Sequence, residues 1–366
     1  MPDKNSPLNR RSLLRLGVPC AVAGLAGSLH RLRAADSSVG RTVVCIYLFG
    51  GNDSNNMVVP VEQYAAYSGA RGPLALPRSS LLRVSGAVSQ AVYGFHPAMS
   101  EIADLFNSRA LAVVANVGRL PGPAASLAEA RSMFKKLTPV DTSLKYLPGG
   151  YAVPGWAADG ETLTGFPDGR GTSLLMPGKG HGGGSPDGGM FSRSLRSPFP
   201  GTGIGQQLKQ VAGILASGTN ADAGGQVFLV QLGGFATSSN QLERHAALLR
   251  QLSEAMHAFY GATVDMGIAN RVVTYTDTEY NRTLAPNKKG GSETGWGGHQ
   301  LVMGGGVVGG DVYGEFPAME LAGASDVTGA GVWLPAISKR QFSQNFATWM
   351  GMPDTGAAGP RLNFLA

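Results

Sequence analysis

The sequence predicts an α/β protein built on a mostly parallel central sheet. Three runs are almost entirely apolar, as strands buried on both faces of such a sheet are: Arg41–Phe49, Ala110–Val117 and Gln226–Leu232. Helical patterns lie between these runs, and alternating strands and helices are typical of this class. The chain has 366 residues, of which 43% are hydrophobic and 15% are charged, so it can bury a sizeable core.

Residues 1–35 are predicted to be a twin-arginine export signal. Arg10 and Arg11 form the arginine pair, Leu16–Leu29 is a modest apolar stretch, and Ala34-Ala35 supplies small residues for cleavage. The alternative is a basic disordered tail. The apolar stretch is short and interrupted by glycine, so we expect no stable membrane span in the mature chain and a location in the periplasm or outside the cell.

The charge distribution excludes a nucleic-acid-binding function. The formal net charge is +6, but residues 1–35 hold six of the 30 Lys and Arg residues and one of the 24 Asp and Glu residues. The remainder, with 24 basic and 23 acidic residues, has no basic excess that could bind a phosphate backbone.

The cysteine content leaves no disulfide and no cysteine metal site in the exported chain. Once residues 1–35 are removed, only Cys45 remains, so neither an intramolecular disulfide nor a cysteine metal cluster can form. Cys45 lies in the first strand and is predicted to be a small buried hydrophobic residue.

The first strand runs into a polar turn, Gly50–Asn56. Two glycines let the backbone turn sharply, and Asn52, Asp53, Asn55 and Asn56 follow. One interpretation is an Asx-turn, in which these side chains bind their own backbone. The other is a carboxylate, Asp53, presented at the carboxyl end of a strand.

The middle of the chain contains helices and a long loop. We predict a short helix with its connector over Gln63–Pro77, and helices over Met99–Ser108, Ser126–Lys136 and Thr202–Ser217. His96, beside a proline at a helix start, is predicted to be a turn or cap residue, and Ser132 to be a cap. Residues 140–200 are predicted to be an inserted glycine-rich surface loop in which His181 faces solvent.

The stretch Gln226–Gly305 predicts a strand, a long helix and two further strands. Asn240 is the predicted helix N-cap, and Gly267 ends the helix. Its predicted apolar stripe consists of Leu242, Leu249, Leu252, Met256 and Phe259. His245 and His257 on this helix are 12 residues apart, too far for a metal-binding pair one turn apart, and are predicted to lie on its surface.

Five polar residues lie at the ends of predicted strands or helices, where open α/β sheets place their sites. Carboxylates and imidazole are suitable ligands for zinc, manganese or magnesium, but no local spacing among these residues demands a metal. The five are Asp53, Ser132, Asp277, Glu279 and His299.

Four stretches, in this order, resemble the twin-arginine-exported bacterial family known as domain of unknown function 1501, which is placed in the alkaline phosphatase and sulfatase clan. They are Leu48–Asp53 with Val58–Pro60, Gly94–Ala98 with Leu111–Val114, Gly233–Leu242, and Gly295–His299 through Gly305. The resemblance implies an alkaline-phosphatase-like three-layer α/β sandwich over residues 36–366. It also implies two divalent metals and a hydroxyl or thiol nucleophile that together hydrolyse phosphate or sulfate esters.

The chain departs from the family pattern at several site positions. Ala236 stands in place of an aspartate and Ser238 in place of a histidine. Glu293-Thr294 replaces Asp-His, and Met133 replaces the histidine that follows the motif's serine, Ser132. Asp53, Glu279, Arg282 and His299 keep their types. The resemblance therefore leaves Asp53, Glu279 and His299 as the ligands of at most one metal.

These departures favour a degenerate site and a non-catalytic binding or assembly role, with a separately encoded exported protein as the partner. The alternative is a one-metal phosphate- or sulfate-ester hydrolase, in which Ser132 attacks and Arg282 steadies the anion. The expected cofactor is accordingly one zinc or manganese ion, or none. A dinucleotide-dependent oxidoreductase would need a phosphate-binding glycine motif after the first strand, and the sequence lacks one there.

Overall fold

The computed structural model describes residues 40–120, 126–137, 172–175, 197–217, 226–351 and 359–366. The predicted export signal lies outside these residues, as does most of the predicted loop insertion at 140–200, including His181. The helices are α1 Ser54–Met57, α2 Tyr64–Arg71, α3 Ser100–Asn107, α4 Leu127–Leu137, α5 Gly203–Ser217, α6 Gln241–Asp265 and α7 Lys339–Trp349. The strands are β1 Thr42–Phe49, β2 Val58–Pro60, β3 Leu82–Ser85, β4 Val92–Phe95, β5 Leu111–Gly118, β6 Thr172–Leu175, β7 Gln226–Gly233, β8 Val272–Asp277, β9 Gly298–Gly304, β10 Val312–Tyr313 and β11 Ile337–Ser338.

The central sheet has eight strands in the order β10-β5-β9-β8-β1-β7-β6, with β11 also paired to β5. Strand β1 pairs in parallel with β7 and β8. Strand β9 pairs antiparallel with β5 and β8. Because β9 enters the sheet from the edge where the parallel strands leave it, the start of β9 lies at the same edge as the ends of β1, β7 and β8.

Side chains of β1 alternate between two cores, one on each face of the sheet. Val44, Ile46 and Leu48 pack in the core that α3, α5 and α6 cover. Val43 and Cys45 pack in the opposite core, which α7 covers. The sheet therefore lies between two helical layers, and its strands are apolar throughout because both faces are buried.

A small antiparallel sheet, β2-β4-β3, lies beside the main one. A third cluster, which includes Tyr67 of α2, Leu284 and Trp333, packs against β2 through Val59. This cluster holds α2 close to the turn that follows β1, which matters for the site described below.

The predicted fold class, a three-layer α/β sandwich with a mostly parallel central sheet, is confirmed. One detail of the α6 prediction is wrong, and the predicted N-cap is confirmed with a difference in its geometry. Leu242, in the first turn, is 39% exposed because the stripe begins beyond the edge of the core. Asn240 is the N-cap, but its φ of 45° is left-handed and its side chain makes no capping hydrogen bond. None of the helices in the described part of the chain is long and apolar enough to cross a membrane.

Candidate functional site

The turn after β1 directs a run of polar side chains into the protein. Gly50 and Gly51 have φ values of +105° and +84°. A Cβ atom on Gly50 would lie 2.4 Å from the backbone nitrogen of Ala236, and one on Gly51 would lie 2.2 Å from the ring of Tyr280. Both positions therefore require glycine. The residues that follow, from Asn52 to Asn56, are all buried at the carboxyl edge of the sheet.

The carboxylate of Asp53 is fully buried and forms an ion pair with Arg71. Its Oδ2 accepts hydrogen bonds from Nη2 of Arg71 and Nε2 of Gln241, and its Oδ1 accepts one from Nδ2 of Asn55 at 3.3 Å. The side chain does not cap the turn that follows it. Asp53 therefore lies at the carboxyl end of β1, as the second interpretation predicts, but its carboxylate is bound by Arg71 and Gln241.

Arg71, at the end of α2, is fully buried and held on every side. Its Nε donates to Oδ1 of Asn56 at 3.0 Å, and its Nη1 donates to the carbonyl oxygens of Thr283 and Leu284 at 2.7 and 2.9 Å. Arg71 was not predicted as a site residue, and no sequence pattern marks it, because an arginine at the end of a short helix is usually exposed.

A continuous chain of hydrogen bonds joins Arg71 to a second buried arginine, Arg282. Gln241 donates to Asp53 through Nε2, and its Oε1 accepts from Oγ of Ser292 at 2.6 Å. Arg282 in turn donates through Nη2 to the carbonyl oxygen of Ser292. We call these five residues the Asp53 network. It has two guanidinium groups and one carboxylate, and burial lowers the pKa of Arg282.

Two buried histidines lie beside this network. Nε2 of His245 is 2.9 Å from Oδ1 of Asn52, and its ring centroid is 5.9 Å from that of His96. Burial, and then the guanidinium groups of Arg71 and Arg282, lower the pKa of His245 to about 3. Burial, and then His245, lower the pKa of His96 to about 3. Both imidazoles are therefore neutral at pH 7.

The prediction that His245 lies on the helix surface is wrong, since the residue is 1% exposed. It sits three residues after Leu242 and four before Leu249, on the apolar stripe of α6, and that spacing could have revealed its burial. His257 is exposed, as predicted. The prediction that His96 is a turn or cap residue is confirmed. Its Nδ1 accepts a hydrogen bond from the backbone nitrogen of Ala98 at 3.0 Å.

Glu279 lies under the glycine turn, where its Oε2 accepts from the backbone nitrogen of Gly50 at 3.0 Å. Its Oε1 is buried and has no hydrogen-bond partner among the residues that the structure describes. Burial raises the pKa of this carboxyl group, against the backbone hydrogen bonds, which lower it.

Asp277, at the end of β8, pairs with a lysine of the opposite helical layer. Its Oδ1 lies 2.8 Å from Nζ of Lys339, and this nitrogen also donates to the carbonyl oxygen of Thr278. Burial raises the pKa of Asp277, while Lys339 lowers it. Lys339 therefore occupies the carboxylate of Asp277, on the face of the sheet that α7 covers.

His299 is the second residue of β9 and is buried against Phe316, with ring centroids 4.2 Å apart. Its Nδ1 accepts from the backbone nitrogen of Asn116 at 3.1 Å, so the proton is on Nε2. In the described part of the chain this Nε2 has no partner. Burial lowers the pKa of His299 to about 3.

The three predicted metal ligands therefore have different surroundings. Two of them, Glu279 and His299, each present a buried atom that has no hydrogen-bond partner among the described residues, whereas Asp53 is occupied by Arg71 and Gln241. Across the described residues, no group of three or more His, Cys, Asp and Glu side chains is arranged to hold a metal ion. In this conformation the donor set does not fit a metal with three protein ligands.

Ser132, the predicted nucleophile of the hydrolase alternative, is exposed in the middle of α4. Its helix packs through Ala130 against Trp296 and Val327. The predicted capping role of Ser132 is wrong: Ser126 precedes the helix, and its Oγ accepts from the backbone nitrogen of Glu129 at 3.2 Å.

The positions that depart from the family pattern contribute no ligand. Ala236 and Ser238 are exposed in the loop between β7 and α6. Glu293 is also exposed, and its Oε1 accepts from Nδ2 of Asn287 at 2.6 Å. Thr294 forms an isolated backbone bridge with Arg282.

Residues 193–333 match the model of a family described as "Protein of unknown function (DUF1501)". This segment is less than half of the chain, and it contains Gly233–Leu242 and Gly295–His299, two of the four stretches on which the resemblance rests. The resemblance is confirmed over this segment. No curated protein has a significant sequence match to the chain.

Three solved structures have similar chains. Ps i-CgsB in complex with k-i-k-neocarrahexaose is 9% identical, with 86% of this chain and 72% of that chain covered and a TM-score of 0.38. The structure of Ps i-CgsB alone gives the same values. The lipoteichoic acid synthase LtaP from Listeria monocytogenes is 7% identical, with 90% and 76% covered and a TM-score of 0.36. Similarity at this level says nothing about the chemistry of this chain.

Proposed function

We propose that this protein is an exported, alkaline-phosphatase-like α/β protein whose metal site is degenerate, and that it acts as a binding or assembly factor. The observation that carries the proposal is the buried ion pair between Asp53 and Arg71. A guanidinium group occupies the carboxylate that would otherwise be the first ligand of a divalent ion.

A metal ion that binds Asp53 would have to displace Arg71. A metal at Asp53 would leave this guanidinium buried without its anion, and breaking a buried pair in this way costs about 3–5 kcal/mol. It would also place a divalent ion in the field of two buried arginines. Both effects oppose metal binding at Asp53.

The ligand count supports the same proposal. A catalytic divalent site normally takes three protein ligands. With Asp53 held by the network, Glu279 and His299 are the two that remain. Ala236 and Ser238 have neither a carboxylate nor an imidazole, and the carboxylate of Glu293 is exposed and hydrogen-bonded to Asn287. Ser132 is exposed in mid-helix, and within the described residues its hydroxyl group has no hydrogen bond to a base that could activate it.

Export and partnership are parts of the same proposal. The arginine pair Arg10-Arg11 supports twin-arginine export to the periplasm or beyond. A folded exported protein that performs no chemistry of its own has its role in binding, and we infer a separately encoded exported protein as the partner.

One observation favours the alternative, a one-metal ester hydrolase. Oε1 of Glu279 and Nε2 of His299 are buried without partners in the described structure, and such atoms are costly unless something binds them. In this alternative both would move to one ion with Asp53 after Arg71 turns away. Ser132 and Arg282 would then act on the ester.

Metal analysis of the mature protein distinguishes the degenerate site from the one-metal ester hydrolase. The protein is purified from its exporting host without chelators and compared with Asp53→Ala/His299→Ala, and with Asp104→Ala/His257→Ala as a matched control at exposed positions. We expect no stoichiometric metal in any of the three. About one equivalent of zinc or manganese that is lost only from Asp53→Ala/His299→Ala would overturn the proposal.

The assembly role is tested by the size of the native protein. In an undenatured extract of the exporting host, the protein should elute in a complex larger than its monomer. Elution as a monomer, at the concentration found in the host, would contradict a stable assembly.

A further inference from the structure

Strand β5 has a bulge beside His299. Its pairing with β9 shifts register between Val114 and Val117, so Asn116 has no partner residue in that pairing. The φ of Asn116 is 53°, a left-handed value that asparagine adopts more readily than most residues other than glycine. Bulges redirect the groups of the residues they contain. Here the backbone N–H of Asn116 donates to Nδ1 of His299 at 3.1 Å.

The segment before β11 holds this bulge in place. Nδ2 of Asn116 donates to the carbonyl oxygen of Leu334 at 2.9 Å. The carbonyl oxygen of Asn116 accepts from the backbone nitrogen of Ala336 at 3.1 Å. The N–H that reaches His299 therefore belongs to a backbone unit that is bonded on its other side as well.

Aromatic packing holds the imidazole ring of His299. The ring centroid of Phe316 lies 4.2 Å from that of His299, and Phe316 is itself stacked on Tyr93 with centroids 5.3 Å apart. His299 is 1% exposed. The orientation of the ring is thus set by packing and by the hydrogen bond to its Nδ1.

These contacts determine which ring nitrogen carries the proton. A neutral imidazole has one N–H and one nitrogen with a free lone pair. Since Nδ1 accepts from Asn116, the proton is on Nε2. A histidine that binds a metal has the opposite arrangement, because it donates its remaining N–H to a carboxylate or carbonyl group and presents the bare nitrogen to the ion. In His299 neither nitrogen offers a lone pair to a metal.

We infer that the backbone of Asn116 holds His299 as the Nε2–H tautomer, and that His299 is a hydrogen-bond donor for an oxygen acceptor and not a metal ligand. Nε2 is buried and has no partner among the described residues, so the group it can take is a carbonyl, carboxylate or hydroxyl oxygen. Turning the ring over to free a lone pair would leave the N–H of Asn116 buried without an acceptor, which is costly. This inference rests on the proposed degenerate site and explains why one of its two remaining candidate ligands does not serve.

Nitrogen NMR of the metal-free mature protein, labelled with ¹⁵N in its histidine rings, reads the tautomer at pH 7. An unprotonated ring nitrogen resonates well downfield of a protonated one, and loss of signals in His299→Gln assigns them to this residue. We expect a protonated Nε2 and a bare Nδ1. His257→Gln, at an exposed histidine, is the matched control and should leave these signals unchanged. A proton on Nδ1, or an average of the two tautomers, would overturn the inference.

Two variants test whether the backbone of Asn116 selects the tautomer. Asn116→Gly tolerates a left-handed φ and should keep the Nε2–H form. Asn116→Val disfavours that φ, so the bond to Nδ1 should weaken and the signals should shift towards a mixture of tautomers. Both variants lose the bond from Nδ2 to Leu334, so the difference between them reports on the backbone. Equal spectra of His299 in the two folded variants would overturn the role of Asn116. If Asn116→Val does not fold, the spectrum of the unaltered protein still decides the tautomer.

Addition of zinc to the labelled protein separates the failure of this inference from the failure of the proposed function. We expect the signals of His299 to stay where they are. Zinc that binds without moving them would overturn the degenerate site but support the donor role of His299. Zinc that shifts the Nε2 signal would overturn both. A proton found on Nδ1 in a protein that binds no zinc would overturn this inference alone.

Discussion

Arg71 donates through Nη2 to Oδ2 of Asp53, and neither side chain is exposed to solvent. The pair joins the end of α2 to the turn after β1. Asp53 is the side chain that the sequence motif presents as a metal ligand, and here its counterion is supplied by the protein. Whether Asp53 can bind a metal therefore depends on Arg71 more than on any residue that the motifs include.

Replacing Arg71 should destabilise the protein strongly. Arg71→Met leaves Asp53 buried without its cation, so we expect the free energy of unfolding to fall by about 3–5 kcal/mol. This free energy of unfolding is measured by denaturant titration at 25 °C. Arg83→Met, at an exposed arginine, should change stability by less than about 0.5 kcal/mol. A loss for Arg71→Met as small as that of the control would contradict the structural role of the pair.

Stability should fall on acidification, in part through His245. Its folded pKa of about 3 lies below the ordinary value of 6.5, so between these values the unfolded state binds more protons than the folded state. Stability contributed by the neutral ring is complete above pH 6.5 and is lost as the pH falls towards 3, by up to about 1.4 kcal/mol per pH unit. Unfolding curves of the unaltered protein and of His245→Gln, measured between pH 7 and 4.5, should show the shallower dependence in the variant. Parallel curves would show that His245 does not titrate in this way.

The ion pair between Lys339 and Asp277 should stabilise the fold as strongly as the ion pair between Arg71 and Asp53. Lys339→Met leaves a buried carboxylate beside β8, and we expect a loss of about 3–5 kcal/mol of stability. Changing both partners, in Lys339→Met/Asp277→Asn, removes the unpaired charge and should recover part of this loss. Lys136→Met on the exposed face of α4 serves as the control. The expectation fails if the double variant is less stable than Lys339→Met alone.

Ser132 should be dispensable. Because Ser132 is exposed in mid-helix, Ser132→Ala should alter the free energy of unfolding by less than about 0.5 kcal/mol. Hydrolysis of nitrophenyl phosphate and nitrophenyl sulfate by the mature protein should not exceed that of this variant. Turnover that Ser132→Ala abolishes would support the hydrolase alternative instead.

Much of the fold could be predicted because its strands are buried on both faces. Continuous apolar runs mark β1, β5 and β7 without ambiguity, and the stripe from Leu249 to Phe259 marks α6. The antiparallel direction of β9 could not be read from its sequence, since a buried strand has the same apolar pattern in either direction.

The site was harder to predict for a different reason. Sequence motifs name side chains that could bind a metal, but they do not name the side chain that binds them instead. A lone arginine in a short helix, such as Arg71, has the pattern of a surface residue. Only the convergence of α2, the turn after β1 and the start of α6 brings it to Asp53 together with Gln241.

The most direct test of the account is a crystal structure of the mature protein grown with zinc or manganese, with data collected at the metal's absorption edge. We predict that the guanidinium group of Arg71 remains hydrogen-bonded to the carboxylate of Asp53, with no anomalous peak beside it. An anomalous peak bound jointly by Asp53, Glu279 and His299, with Arg71 turned away, would contradict the degenerate site and establish the metal-dependent alternative.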